Sequence, residues 1–335
     1  DRRQRQMCIR DSYKGKYHIA VEWIMETESD YRQNLKRLNV TDKLPAVITD
    51  LRMLPSYYRL LVEDHRIVDL APYIEADQEW KQMIEPVVLD SCSEEDGSVY
   101  LGPVSTAAFS CSGIFWNEEL FEQAGITEEP KTWDEFKDVC QKLKDAGITP
   151  MTMDDAYATC VIGYHLARLV GEDKVKEIVT EGEWDDPAVL QMAQDIEELA
   201  SNGYYSEMVG SNVWPAGQNT ELALGTAAMY LNGSWLPNEV KEMAGPDFHW
   251  GCFAYPALTD GANGIETNNF GAQAFGINKD TKLAKEAFDL ITFLTKGEYD
   301  QKLADETVGI PADTTNTEWP AMVECAKPVI EQSTN

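Results

Sequence analysis

The chemistry open to this chain lies in flat aromatics, carboxylates and amides. In Gly225–Trp235, Ala227, Met229 and Leu231 alternate with Ala228 and Tyr230, the period of a short strand with one buried face. Asn232-Gly233-Ser234 then signals a turn, and Pro237 suits the first turn of a following helix. Trp235 therefore sits at the mouth of a strand-to-helix turn. It is placed either to contact a ligand or to pack as core beneath the helix. Asp50 and Arg52 follow the apolar run Pro45–Thr49, and Asp154, Asp155 and Tyr157 form a second polar group. Asn268, Asn269 and Gln273 gather amides late in the chain, and Trp214 stands in Val-Trp-Pro-Ala-Gly. No Gly-x-Ser-x-Gly elbow, phosphate loop, C-x-x-C or H-x-x-x-H pair occurs. No cofactor and no metal are expected.

Composition narrows the partners. The chain has 335 residues, 43% hydrophobic and 26% charged, enough for two domains with separate cores. A net charge of −30 argues against nucleic acid or an anionic lipid surface as main partner, and the bland reading is a well-solvated surface. No apolar run is long enough to span a membrane. The seven cysteines show no paired metal spacing such as C-x-x-C and are odd in number for a full disulfide framework. Cys111, Cys140 and Cys160 stand among apolar residues and are expected as buried free thiols.

The elements that must position these groups alternate in the first ninety residues. Tyr17–Trp23 is strand-like, and Ser29 is expected to cap a helix carrying Tyr31, Leu35 and Leu38 on one side. Pro45–Thr49 suits a buried parallel strand, and a helix starts near Pro55 with Tyr58, Leu61 and Val62 inward. This is the mark of a parallel α/β sheet, whose ligands bind beyond the carboxyl ends of strands. Val99–Asn117 reads as two extended stretches. Helices follow: Asn117 caps one that Gly125 ends, and Thr132–Glu135 is a capping box for another stopped by Gly147. A further helix opens at Asp186-Pro187 with Val189, Ala193, Ile196 and Leu199 inward. Phe248–Tyr255 and Phe270–Asn278 are extended. Asp280 or Thr281 is expected to cap a helix closed by Gly297.

Asp1–Ser12 differs from the rest. It is basic in an acidic chain, aperiodic and uncapped, and Met7–Ser12 resembles an in-frame translation of a transposase adapter. Residues 1–12 are expected to be an artefactual tail outside the fold; a natural charged tail is the alternative.

Several blocks, in order, resemble one family: the extracellular solute-binding proteins of bacterial ABC sugar importers, family 1, which includes maltose-binding protein. Gly113–Gly125 followed by Lys131–Phe136 resembles the block "YN-x-x-LF-x-x-AG … KTWDEF", with Trp116 in place of Tyr. Gly225–Met229 through Gly233-Ser234-Trp235 resembles "GKAAM … GSW", and Gly276–Asn278, Ala284–Leu294 and Ile310-Pro311 resemble the closing block. The resemblance covers Tyr13 to Ala321 and specifies the family, not one sugar. It implies an α/β, two-lobe periplasmic-binding-protein-like fold of class II type, with a hinge and an interlobe cleft. Lobe one would be residues 13–105 plus 270–310, and lobe two residues 106–269 plus 311–335. Ser105–Ser110 and Glu266–Phe270 would be the hinge strands. Family members begin with a strand and helix before Ile19 and continue past the Ile-Pro block, so the chain is expected to be truncated at both ends.

A pyranose has apolar C–H faces and a rim of hydroxyls; aromatics match the faces, and Asp, Arg and Asn match the rim. By the resemblance, Asp50 and Arg52 would hold hydroxyls from lobe one, Asp154, Asp155 and Tyr157 from lobe two, and Trp235 would stack. Asn268, Asn269 and Gln273 stand beside the second hinge, and Trp214 is a further stacking candidate or a core residue. The plain alternatives are a helix cap for Asp154 and Asp155 and a turn for Asn268 and Asn269. Thr106 and Ser110 would line the cleft or pack the hinge.

The expected function is substrate capture for an ABC importer: a monomer binding a mono- or oligosaccharide and delivering it to permease transmembrane subunits. It would be extracellular, lipid-anchored at the outer face of the cell membrane, or periplasmic, its signal sequence lying outside the sequence given. The alternatives are a secreted carbohydrate-active enzyme, which needs two carboxylates across a glycosidic bond, or a binding protein for an oligopeptide, polyamine or metal.

Overall fold

The computed structural model describes residues 28–49, 55–84, 86–103, 110–213, 216–271 and 274–333. The expected tail at 1–12 and the strand at Tyr17–Trp23 lie outside the described residues.

Helix α1 (Glu28–Val40) already includes Ser29, so that residue lies within the helix rather than at its cap. It leads to β1 (Val47–Ile48), α2 (Pro55–Glu63), α3 (Ala71–Ala76), α4 (Gln78–Met83), α5 (Pro86–Asp90) and β2 (Gly102–Pro103). Further along the chain come β3 (Ser110–Asn117), α6 (Glu118–Gln123), α7 (Trp133–Asp145), β4 (Thr149–Met151), α8 (Asp155–Val170), α9 (Glu172–Glu181) and α10 (Pro187–Ser201). Then follow α11 (Ala216–Ala223), β5 (Ala227–Gly233), α12 (Leu236–Ala244), β6 (Trp250–Phe253), β7 (Phe270–Gly271), β8 (Ala274–Ile277), α13 (Ala284–Leu294) and α14 (Gly297–Thr307). A 3₁₀ turn at Ala321–Ala326 and α15 (Lys327–Glu331) complete the described chain.

Local chemistry explains many boundaries. Asn117 accepts from the backbone N–H groups of Glu119 and Leu120, satisfying donors that the first turn of α6 leaves open. Thr132 and Glu135 form the expected reciprocal box at α7, and Phe136, Val139, Cys140 and Leu143 are buried. Gly147 takes φ +78 after that helix, where a side chain would be strained. Other boundaries fall elsewhere. Helices α8 and α9 carry no breaker that the sequence reading used, and they fill 155–181. The expected cap of α13 at Asp280 or Thr281 is replaced by Leu283, which makes no side-chain cap bond, and Thr281 Oγ1 accepts from the Leu283 N–H in the preceding turn. Gly297 does not close α13; Thr295 does, and Gly297 opens α14. On α10 the buried residues are Ala188, Met192 and Leu199, and Ala193 is exposed.

Two cores organise the molecule. The first sheet has the order β1-β8-β2, with β8 antiparallel to both neighbours. The expected parallel strand at 45–49 is therefore paired antiparallel, because the chain returning from the second sheet inserts β8 beside it. Trp80, Leu61, Ile277, Phe288 and Ile291 lie in its core, and so do Ala312 and Val323. Ala326 and Val329 belong to the second core. Met322 and Ile330 pack against both.

The second sheet runs β4-β5-β3-β6, with β7 on the N-terminal part of β3. On β3 and β5, Ile114, Met229 and Leu231 face α7, whereas Phe115 and Tyr230 face α11 and α12. Every residue of β5 is buried. The expected one-sided strand is thus covered by helices on both faces, as a central strand of an α/β layer must be. Strand β2 pairs with β8, and Ser110 at the start of β3 pairs with Gly271 of β7. The chain therefore passes from the first sheet to the second after Pro103 and is back in the first sheet by Ala274. Phe270 and Gly271, at the end of the expected Glu266–Phe270 hinge strand, pair within the second sheet.

Candidate functional site

Both crossings leave one edge of the second sheet. Strands β4 and β5 are parallel, in register Thr149↔Ala227 and Met151↔Met229, and both end at that edge. Strand β3 is antiparallel to β5, so its first residues meet the last of β5, with Ser112 opposite Gly233. The carboxyl ends of two parallel strands thus lie at the edge where β3 begins, and α/β folds bind ligands beyond such ends. From β4 the chain enters α8 through Asp154, and from β5 it enters α12 through Trp235.

Trp235 is half-buried. Its indole lies over the backbone of Gly233, where a Cβ would stand 2.3–2.5 Å from Cη2, Cζ3 and Cζ2. Its Nε1–H donates to the Tyr157 hydroxyl at 3.2 Å. Tyr157 is half-buried, and its ring meets Tyr230 edge-on with centroids 5.4 Å apart. Tyr230 in turn donates its hydroxyl to Asp154 Oδ2 at 2.9 Å. Asp154 Oδ1 accepts from the Tyr157 backbone N–H at 2.7 Å, capping α8. Four side chains form one connected unit. Burial pushes the Tyr157 and Tyr230 hydroxyls above the ordinary tyrosine range, so both keep their protons at neutral pH.

Tyr164 lies seven residues after Tyr157 on α8, hence on the same face. Its hydroxyl donates to Ser112 O at 3.4 Å and accepts from the Asn269 N–H at 3.0 Å. It thereby ties α8 to the segment entering β7. Arg168, fully buried, donates Nε and Nη2 to Tyr255 O and Nη1 to Thr267 O, fixing the loop before Asn268.

The structure sorts the residues read from sequence. Trp235 and Tyr157 come together at the sheet edge. Asp154 is buried and serves as the helix cap, with its carboxylate turned to Tyr157 and Tyr230; Asp155 is exposed in the first turn of α8. Asn268 is buried, and its Nδ2 donates to Ile265 O and Ser333 Oγ. Asn269 is exposed, next to the β7 strand, and its carbonyl accepts from the Ser112 N–H. Ser110 opens β3 opposite Gly271. Asp50, Arg52, Thr106, Trp214 and Gln273 lie outside the described residues. Cys140 is a buried free thiol as expected, but Cys160 is exposed, because the α8 face that carries it turns outward. Sequence reasoning missed Tyr164, Arg168 and Gly233. The first two were legible as the 3–4 spacing Tyr157, Val161, Tyr164, Arg168 behind an Asp cap. The closeness of Gly233 to Trp235 left no sequence signal.

Among the described residues, no cluster of His, Cys, Asp and Glu could hold a metal ion, and no helix is long and apolar enough to cross a membrane.

Two α/β sheets, with the chain passing from the first to the second and back, make a two-lobe fold. The family model for bacterial extracellular solute-binding proteins matches residues 9–327, and the chain belongs to that family. Among curated relatives, the multiple sugar-binding protein of Streptococcus mutans is 28% identical over 219 residues, covering 62% of this chain and 50% of that protein. The diacetylchitobiose binding protein of Streptomyces coelicolor is 27% identical over 193 residues, 53% of this chain and 38% of that one. The chain spans about half the length, or less, of these curated relatives. Among solved structures, apo RafE of Streptococcus pneumoniae superposes with TM-score 0.75 at 20% identity, covering 98% of this chain and 82% of that one. A sugar transporter of Bacillus licheniformis solved with stachyose gives TM-score 0.69 at 17% identity, covering 98% and 84%.

Proposed function

We propose that this chain is the substrate-binding component of an ABC importer and captures an oligosaccharide between its lobes. The observation that carries this reading is Trp235: a half-buried indole at the carboxyl end of β5, held over Gly233 and beside Tyr157. Such a ring matches the apolar face of a pyranose. The names of the relatives support a saccharide, since proteins called multiple sugar-binding and diacetylchitobiose binding are among them. Residues up to 103 and 274–323 form lobe one in this reading, and residues 110–271 with the last helix form lobe two. Delivery goes to the transmembrane subunits of a permease at the outer face of the cell membrane, with the binder acting as a monomer.

Isothermal titration against raffinose, stachyose, diacetylchitobiose and maltose, with spermidine and an oligopeptide as non-sugar probes, tests the assignment. Saturable binding of at least one saccharide, recovered intact by mass spectrometry, is expected. Binding of only a non-sugar probe, or cleavage of the saccharide, overturns the proposal.

A further inference from the structure

Trp235 is held from two sides by groups that are not themselves stacking surfaces. Its benzo ring rests on Gly233, and its pyrrole N–H is fixed by the Tyr157 hydroxyl. Tyr157 is itself fixed twice: at its backbone by Asp154 Oδ1, and at its ring by Tyr230, whose hydroxyl reaches Asp154 Oδ2. One buried carboxylate therefore orients both the start of α8 and the side chain that sets the indole. An indole on a half-buried turn has several rotamers open to it, and ordering one on binding costs affinity unless it is ordered beforehand.

We infer that Tyr157, supported by Asp154 and Tyr230, is a positioning residue that pre-orders the Trp235 indole for ligand stacking. This rests on the reading of Trp235 as the sugar platform. With one face on Gly233, the indole offers only its opposite face, so it accommodates one pyranose ring. The Tyr157 hydroxyl accepts from Trp235 and keeps its own proton to donate at the rim of that ring. A structural role for the same hydrogen bond would affect stability but not the order of the ligand-free indole and the affinity together.

The test uses protein labelled with 5-fluorotryptophan, with the Trp235 ¹⁹F resonance assigned by its loss in Trp235→Phe. In sugar-free Tyr157→Phe, that resonance is expected to shift or broaden. The dissociation constant for the tightest-binding sugar of the panel is expected to rise about 3- to 10-fold, the scale of one lost neutral hydrogen bond. Tyr164→Phe, the same change on the same helix face, should leave the Trp235 resonance in place. An unmoved resonance in Tyr157→Phe, or an unchanged affinity, overturns the inference. If Tyr157→Phe fails to fold, indole hydrogen exchange in the parent protein decides: slow exchange at Trp235 Nε1 supports the inference, and exchange at the rate of an open indole overturns it. If Trp235→Phe and Trp235→Ala both keep full affinity while the resonance still moves in Tyr157→Phe, the platform reading itself fails, and the positioning role falls with it.

Discussion

Replacing Gly233 by alanine would probe the site without touching any polar group. The added Cβ would lie 2.3–2.5 Å from three atoms of the Trp235 ring. Carbon atoms rest about 3.5–4.0 Å apart, so the ring must retreat by about 1 Å or more. Its hydrogen bond to Tyr157, at 3.2 Å, has no such slack. Because the indole is half-buried, it can relieve the clash by swinging outward rather than by deforming β5. The expected loss of stability is therefore about 1–2 kcal/mol, the lower part of the usual overpacking range. Affinity should suffer more. Loss of the stacking platform corresponds to about 1–3 kcal/mol, or roughly a 5- to 150-fold rise in dissociation constant. Urea denaturation and calorimetric titration on the same preparation measure both. Gly210→Ala, where a Cβ meets nothing, serves as the neutral control. Full sugar affinity in folded Gly233→Ala would refute the placement of Trp235 in the site.

Two further predictions concern the cores. His165 is fully buried between Tyr255 Oη at 3.0 Å and Asp195 Oδ2 at 2.9 Å, and burial pushes its pKa below the ordinary value, against the pull of Asp195. The folded state thus disfavours the proton, so this contribution is full above the unfolded histidine value of about 6.5 and is lost as pH falls below it. Urea midpoints measured from pH 8 to 5 should fall more steeply for the parent than for His165→Gln, and parallel curves would count against it. Trp80, fully buried, donates Nε1 to Thr295 Oγ1 and meets Phe288 edge-on at 5.6 Å. Trp80→Ala should cost about 3–5 kcal/mol of stability in denaturation, with sugar affinity unchanged in the folded fraction; a cost under about 1 kcal/mol would show that this core does not depend on the residue.

The sequence alone determined what is local or periodic. The Asn117 cap, the Thr132–Glu135 box and the alternation through Ala227–Leu231 each need only neighbours along the chain, so their signals are complete in short stretches. The place of Trp235 beyond the end of β5 was legible for the same reason: strand, turn and helix start follow one another within a dozen positions. The ordered blocks Gly113–Phe136 and Gly225–Trp235 carried the family. The tertiary structure decided everything that depends on partners far away. Whether Asp154 meets solvent or Tyr230 is set by a strand 76 residues later. The antiparallel pairing of β1 depends on β8, a strand from the other side of the chain's double crossing, and no pattern in Pro45–Thr49 encodes it. Gly233 reads as a turn residue in sequence, and only the folded chain shows that its missing side chain makes room for the Trp235 ring. Side-chain type is written in the sequence; which groups meet is settled by close packing, in which each buried donor must find an acceptor and each volume must be filled once.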